Sequence, residues 1–148
     1  MRVRAKVAYD GTEFFGFQRQ ATARTVQGEI ETALEKVTGR QTGLMGAGRT
    51  DAGVHASGQV IAFETDWRHS MEALTKALNI TLPEDVAVRE MAECNADFHP
   101  RFDARTRTYE YIVLVSGVKQ PLRRRTTWPP ERKPDLALMN RAAAQLIG

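Results

Sequence analysis

Cysteine is almost absent: Cys94 is the only one in 148 residues. No internal disulfide can form, which fits a reducing compartment. Histidine is scarce too. His55, His69 and His99 are too scattered for a zinc motif, and one thiol adds little, so no metal is expected. Long apolar runs are missing. The longest stretch without a formal charge, Ala52 to Phe63, contains His55, Ser57 and Gln59 and is too short and too polar to span a bilayer. Met1-Arg2-Val3-Arg4-Ala5-Lys6 leads into no apolar segment, so no secretory signal is expected. There is no internal repeat and no low-complexity tract. What is present is 42% hydrophobic and 26% charged, which argues against disorder. These features point to a soluble, cytoplasmic, single-domain protein.

The net charge is +3, but its distribution says more than its total. Arg101 to Lys133 carries nine basic and three acidic residues, a local +6. The rest of the chain carries twelve basic and fifteen acidic residues, a net of −3. Within the basic segment Arg105, Arg107, Tyr109 and Tyr111 alternate, and Arg123-Arg124-Arg125 follow. Arginine interleaved with aromatic rings suits phosphates and unstacked bases. A solubilising face explains the same charge equally well.

Hydrophobic periodicity orders the chain. Arg2 to Tyr9 alternates as a half-buried strand, and Asp10-Gly11 ends it in a turn. Thr25 caps a helix with Val26, Ile30, Ala33, Leu34 and Val37 on one stripe, and Gly39 stops it. A short strand, Thr42 to Met45, leads into a glycine-rich loop, Gly46 to Gly53. Gln59 to Thr65 reads as a strand. Ser70 caps a second helix carrying Met71, Leu74, Ala77 and Leu78, closed before Pro83. Val86 to Ala92 and the longer Arg105 to Val115 read as strands. Lys119 to Pro134 reads as a loop, and Pro134-Asp135 opens a last helix with Leu136, Met139, Ala143 and Leu146 on one side. The class is α+β. The order is the ferredoxin-like βαββαβ, an antiparallel sheet with helices on one face, plus an extra strand and helix. RNA-binding RRM domains share that layout, and its open face must be covered by nucleic acid or by more protein.

The densest polar cluster is Gly46-Ala47-Gly48-Arg49-Thr50-Asp51-Ala52-Gly53-Val54-His55. Three of its glycines fall within eight residues and permit close backbone approach. No Gly-Lys-Ser/Thr follows, so it is not a P-loop, and Asp51 stands where the dinucleotide fingerprint needs its last glycine. From the residues alone, Asp51 reads as a turn or ion-pair residue before it reads as a nucleophile. Asp51, His55 and Ser57 do not make a hydrolytic triad, because His55 sits where a nucleophile elbow needs glycine. Cys94 reads as a half-buried thiol rather than as a nucleophile paired with His99. On a strand, Arg105, Arg107, Tyr109 and Tyr111 would share one face, which favours a binding surface over a tyrosine at the edge of a core.

Gly48-Arg49-Thr50-Asp51-Ala52-Gly53-Val54-His55-Ala56, with Gly58-Gln59-Val60 after it, resembles the active-site signature of the TruA family of tRNA pseudouridine synthases. Tyr9-Asp10-Gly11, Phe15-Gly16-Phe17-Gln18-Arg19-Gln20, Val26-Gln27-Gly28, Phe98-His99-Pro100-Arg101-Phe102 and Arg107-Thr108-Tyr109-Glu110-Tyr111 match that family in order and approximate spacing. The resemblance covers nearly the whole chain. It implies isomerisation of uridine to pseudouridine at positions 38 to 40 of the tRNA anticodon stem-loop. It also implies no metal or organic cofactor, and a homodimer whose positive surface cradles tRNA. It makes Asp51 the catalytic aspartate, has Arg49 extrude or hold the target nucleotide, and stacks Tyr109 on the target base. Arg105, Arg107, Arg123, Arg124 and Arg125 then become candidate RNA contacts. Family members continue for roughly another domain of about 100 residues. Residues 1–148 are therefore expected to be the N-terminal half, carrying the aspartate but not the whole pocket. A non-catalytic RRM-like RNA-binding module is the alternative. A half-domain that acts only with another chain is the third reading.

Overall fold

The computed structural model describes residues 1–147. The chain divides into two compact units, Met1–Arg107 and residues 108–148. The first is built from β1 (Arg2–Tyr9), α1 (Val26–Thr38), β2 (Leu44–Gly46), β3 (Ala56–Glu64), α2 (Met71–Thr81) and β4 (Val86–Glu93). The four strands form one antiparallel sheet in the order β2-β3-β1-β4. This is the ferredoxin-like arrangement read from the periodicity. The second unit contains a short 3-10 turn, Pro121–Arg123, and α3 (Leu136–Ala144). Among the described residues no helix is long and apolar enough to cross a membrane.

Strand alternation explains the core. Val3, Ala5 and Val7 on β1 sit opposite Phe63, Ile61 and Gln59 on β3, and Val7 sits opposite Val88 on β4. Those apolar side chains share one sheet face and are buried with Ile30 and Leu34 of α1 and Leu74 and Leu78 of α2. On the opposite face the strands carry Arg4, Lys6, Gly58, Val60 and Ala62 and, among the described residues, no aromatic ring. Both helices start and stop where their caps require. Thr25 Oγ1 accepts from Gly28 N, and Ser70 Oγ accepts from Ala73 N. Gly39 takes a left-handed conformation at φ 73° to end α1.

β4 is an edge strand, and α2 supplies the partner that its outer side lacks. Asn79 donates through Nδ2 to Val88 O at 2.8 Å and accepts from Val88 N through Oδ1 at 2.9 Å. A side-chain amide thus mimics one residue of a neighbouring strand and blunts the edge.

The segment between β1 and α1 positions the site. Arg24 holds Asp85 through two bonds of 2.7 and 2.9 Å, bonds Glu29, and lies 4.1 Å above the Phe14 ring. The N–H groups of Val26 and Gln27, otherwise unpaired at the start of α1, donate to Gly16 O and Phe17 O. Phe17 N in turn donates to Thr50 O at 3.0 Å, and Gly53 N donates to Phe14 O at 3.2 Å. Two loops therefore meet backbone to backbone. A Cβ at Gly11 would lie 2.0 Å from Val54 O, and one at Gly16 (φ 89°) would lie 2.8 Å from Thr50 O. Only glycine permits both the spacing and, at Gly16, the dihedral.

One sequence expectation fails. Arg105 to Val115 is not a strand: within its unit only Val113 pairs, in an isolated bridge with Trp128. Alternation records which side chains could share a face, but a strand also needs a neighbour for its backbone, and among the described residues of that unit only Trp128 supplies one. The expected last helix does form, as α3 with Asp135 as its N-cap, and its apolar side is exposed, Leu136 at 68% and Leu146 just beyond it at 87%. Smaller differences are at boundaries: β2 begins at Leu44 rather than Thr42, and β3 begins at Ala56 rather than Gln59.

Asn79→Ala should lower stability by about 1–2 kcal/mol, read as a lower urea midpoint with an unchanged slope. Gly39→Ala, at a left-handed position with nothing within 4 Å of the new Cβ, should cost about 1–2 kcal/mol. Gly16→Ala should cost more than Gly39→Ala, because it adds a clash with Thr50 O to the same kind of backbone strain. Equal losses in the two glycine variants would mean that the loop contact is soft.

Candidate active site

The loop from Gly46 to His55 joins β2 to β3 and is tied down along its length. Ala47 N donates to Val60 O at 2.8 Å, extending the β2–β3 pairing by one bond. Gln59 Nε2 donates to Gly48 O at 2.8 Å. The Tyr9 and Thr50 hydroxyls share a bond of 2.8 Å. Burial pushes the Tyr9 hydroxyl pKa above its usual value, so it stays protonated in that bond. Val54 N donates to Asp51 O, closing a turn. His55 Nδ1 lies 3.1 Å from both Gly11 N and Asp10 Oδ1. An N–H can only donate, so the Gly11 bond belongs to the tautomer with the proton on Nε2. A proton on Nδ1 would exchange it for the Asp10 contact. Either way His55 is engaged in holding the two loops.

Within this fixed loop two charged side chains are left over. Arg49 and Asp51 are both exposed, and among the described residues neither guanidinium nor carboxylate has a hydrogen-bond or ion-pair partner. The backbone of Asp51 serves the turn, but its carboxylate serves neither the turn nor an ion pair. Arg49 and Asp51 line a cleft of about 280 Å³, whose other wall includes Phe15, Gln18 and Gln20. Phe15 is 65% exposed, whereas its neighbours Phe14 and Phe17 are buried. The cleft thus combines a free anion, a free cation, two amides and one flat apolar face.

The other sequence candidates divide. Arg107 is close to this loop: its guanidinium NH2 donates to Ala47 O at 3.2 Å and to Arg101 O at 3.0 Å. That links the segment after β4 to the loop and gives Arg107 a structural task. Arg105 is exposed. Tyr109, Tyr111 and Arg123 to Arg125 belong to the second unit, where all are exposed and Arg123 O accepts from Thr127 Oγ1. Tyr109 and Tyr111 are 77% and 92% exposed, so neither is a core-edge ring in that unit. Cys94 is half-buried, as expected, and burial pushes its thiol pKa up. No three His, Cys, Asp or Glu side chains are grouped to hold a metal among the described residues.

Phe15, Gln18, Gln20, Tyr9 and Thr50 carry no individual role in the sequence reading, although all five lie in its quoted motifs. One signal was available: three phenylalanines within four residues around Gly16 are more than one tight turn can bury.

Residues 5–103 match the family model described as tRNA pseudouridine synthase. The chain is 45% identical over 142 residues to tRNA pseudouridine synthase A of Geobacter sp. (strain M21), an alignment covering 96% of this chain and 58% of that one. It is 46% identical over 148 residues to the protein of the same name from Thermotoga sp. (strain RQ2), covering 99% and 60%. The corresponding protein of Halalkalibacterium halodurans is 44% identical over 148 residues, covering 99% and 56%. The chain therefore spans a little over half the length of these curated relatives. With the glycine loop and its unpaired aspartate in place, the family match over most of the first unit leads to one conclusion: this chain belongs to the tRNA pseudouridine synthase family.

Proposed function

We propose that the protein isomerises uridine to pseudouridine in tRNA, at positions 38 to 40 of the anticodon stem-loop, with Asp51 as the catalytic carboxylate. The observation that carries this reading is the unpaired Asp51 carboxylate, held on a rigid loop beside an unpaired Arg49 in an open cleft. The reaction breaks the bond from N1 of uracil to C1′, turns the base and joins C5 to C1′. The C5 hydrogen leaves to water and N1 gains a proton, so the product is an isomer. A carboxylate at the sugar meets this need by attacking C1′, by stabilising positive charge there or by taking a sugar proton. Each role requires an ionised carboxylate that is not already spent on another partner.

A uridine in a stem must leave the stack before it reaches such a group. Arg49 beside Asp51 suits the phosphate or base of the extruded nucleotide. Tyr109 supplies a stacking face for the target base, and Arg105, Arg107, Arg123, Arg124 and Arg125 contribute positive charge toward the phosphates. No metal or organic cofactor enters these steps. A homodimer in the cytoplasm completes the proposal. The cleft is open, whereas a detached uracil needs enclosure while it turns. The additional length of the relatives is the expected source of that enclosure. A purely binding RRM-like module is less well supported, because such a module stacks bases on sheet aromatics, and among the described residues the strands place none on the face opposite the helices.

Asp51→Asn keeps the side-chain size and removes the charge. Tritium release from tRNA labelled at uridine C5 should fall by about 10⁴-fold or more, while tRNA affinity stays near that of the wild type. Rapid release by the pure variant would remove Asp51 from the chemistry. Reversing Arg123, Arg124 and Arg125 together should weaken tRNA binding and reduce the slope of log affinity against log salt by about one unit per lost phosphate contact. An unchanged slope would make the three arginines a solvated run.

A further inference from the structure

Phe15 is displayed by the fold rather than left over by it. Phe14 and Phe17 on either side are 3% and 2% exposed, while Phe15 is 65% exposed. The backbone beneath the ring is fixed at both polar groups. Phe15 N donates to Arg24 O at 2.9 Å, and Phe15 O accepts from Gln20 Nε2 at 2.8 Å. Gly16, at φ 89°, turns the chain so that Phe17 goes into the core while Phe15 stays out. An isolated exposed hydrophobe is ordinary on a protein surface. A ring on an anchored backbone, lining the same cleft as Arg49, Asp51 and Gln18, is a different case.

We propose that the Phe15 ring is a stacking platform for the nucleobase adjacent to the one being modified. This rests on the reading above that the cleft receives an extruded nucleotide of RNA. A flat apolar face next to a free guanidinium fits a base with its phosphate, since every base offers a π-face and every linkage an anion. The neighbour suits Phe15 better than the target does. In the reading above Tyr109 already supplies the face for the target base, which leaves the Phe15 ring for a different one. The neighbour stays covalently tied to the strand and needs only one face. By holding it, Phe15 positions the target against Asp51 and takes no part in the bond changes.

The test uses the full-length protein and two anticodon stem-loop RNAs, with 2-aminopurine placed on the 5′ or the 3′ side of the target uridine. Stacking quenches that fluorophore. The wild type and Phe15→Tyr should quench one of the two RNAs, and Phe15→Leu, which keeps bulk and loses the ring, should not. On unlabelled RNA, Phe15→Leu should lower kcat about 10-fold with KM little changed, and Phe15→Tyr should restore it. Quenching by Phe15→Leu equal to that of the wild type overturns the proposal. If turnover is normal in that case, the pseudouridine reading stands and only the platform falls. Phe15-dependent quenching by a wild type that makes no pseudouridine keeps the platform and removes the isomerase. No binding of either RNA by the wild type overturns both.

Discussion

Backbone meets backbone where the loop after β1 lies on the loop that carries Asp51, and that contact governs the rest of the site. Phe17 N to Thr50 O and Gly53 N to Phe14 O join the two segments. Gly11 and Gly16 make the approach possible, because a Cβ at either would overlap a carbonyl oxygen of the other loop. The chain of bonds continues inward. Gly16 O and Phe17 O satisfy the first N–H groups of α1, so the Asp51 loop is anchored to the packed core through a helix terminus. The role proposed for Asp51 calls for support of this kind, since a reacting group must be held within a fraction of an ångström.

The same anchoring explains why Arg49 and Asp51 can remain unpaired. In many loops, a charged side chain helps to hold the loop's shape. Here backbone bonds, the Tyr9–Thr50 hydroxyl pair, Gln59 on Gly48 and Arg107 on Ala47 do that work. Glu31 extends the support beneath the opposite wall. It is buried on α1 and accepts from Arg19, Gln27 and the Leu44 amide at the start of β2. The two unpaired charges are thus spared structural duty, and in the proposed reaction their solvation is what a substrate displaces.

The ferredoxin-like order was legible because each element carries its own local rule. The β1 alternation, the α1 stripe from Val26 to Leu34, and the caps Thr25, Gly39, Ser70 and Asp135 all act within a few residues of themselves. Arg105 to Val115 alternates without being a strand, because alternation says nothing about whether a partner strand is present. The glycine loop was recognisable as a cluster, but the freedom of the Asp51 carboxylate was not, since pairing depends on residues far away in sequence. Phe15 shows the same limit. Which of three neighbouring phenylalanines faces solvent is decided by the dihedral at Gly16 and by its fit against Thr50, and composition records neither.

Amide hydrogen exchange at Phe17 and Gly53 tests most directly whether the two loops are locked. Both amides lie in segments without regular secondary structure, where fast exchange is the ordinary expectation. If the loop contact belongs to the core, they should exchange only with global unfolding, as slowly as the paired amides of β1 and β3. Fast exchange at both, with β1 and β3 still protected, would show that the Asp51 loop opens on its own and would contradict a preorganised site.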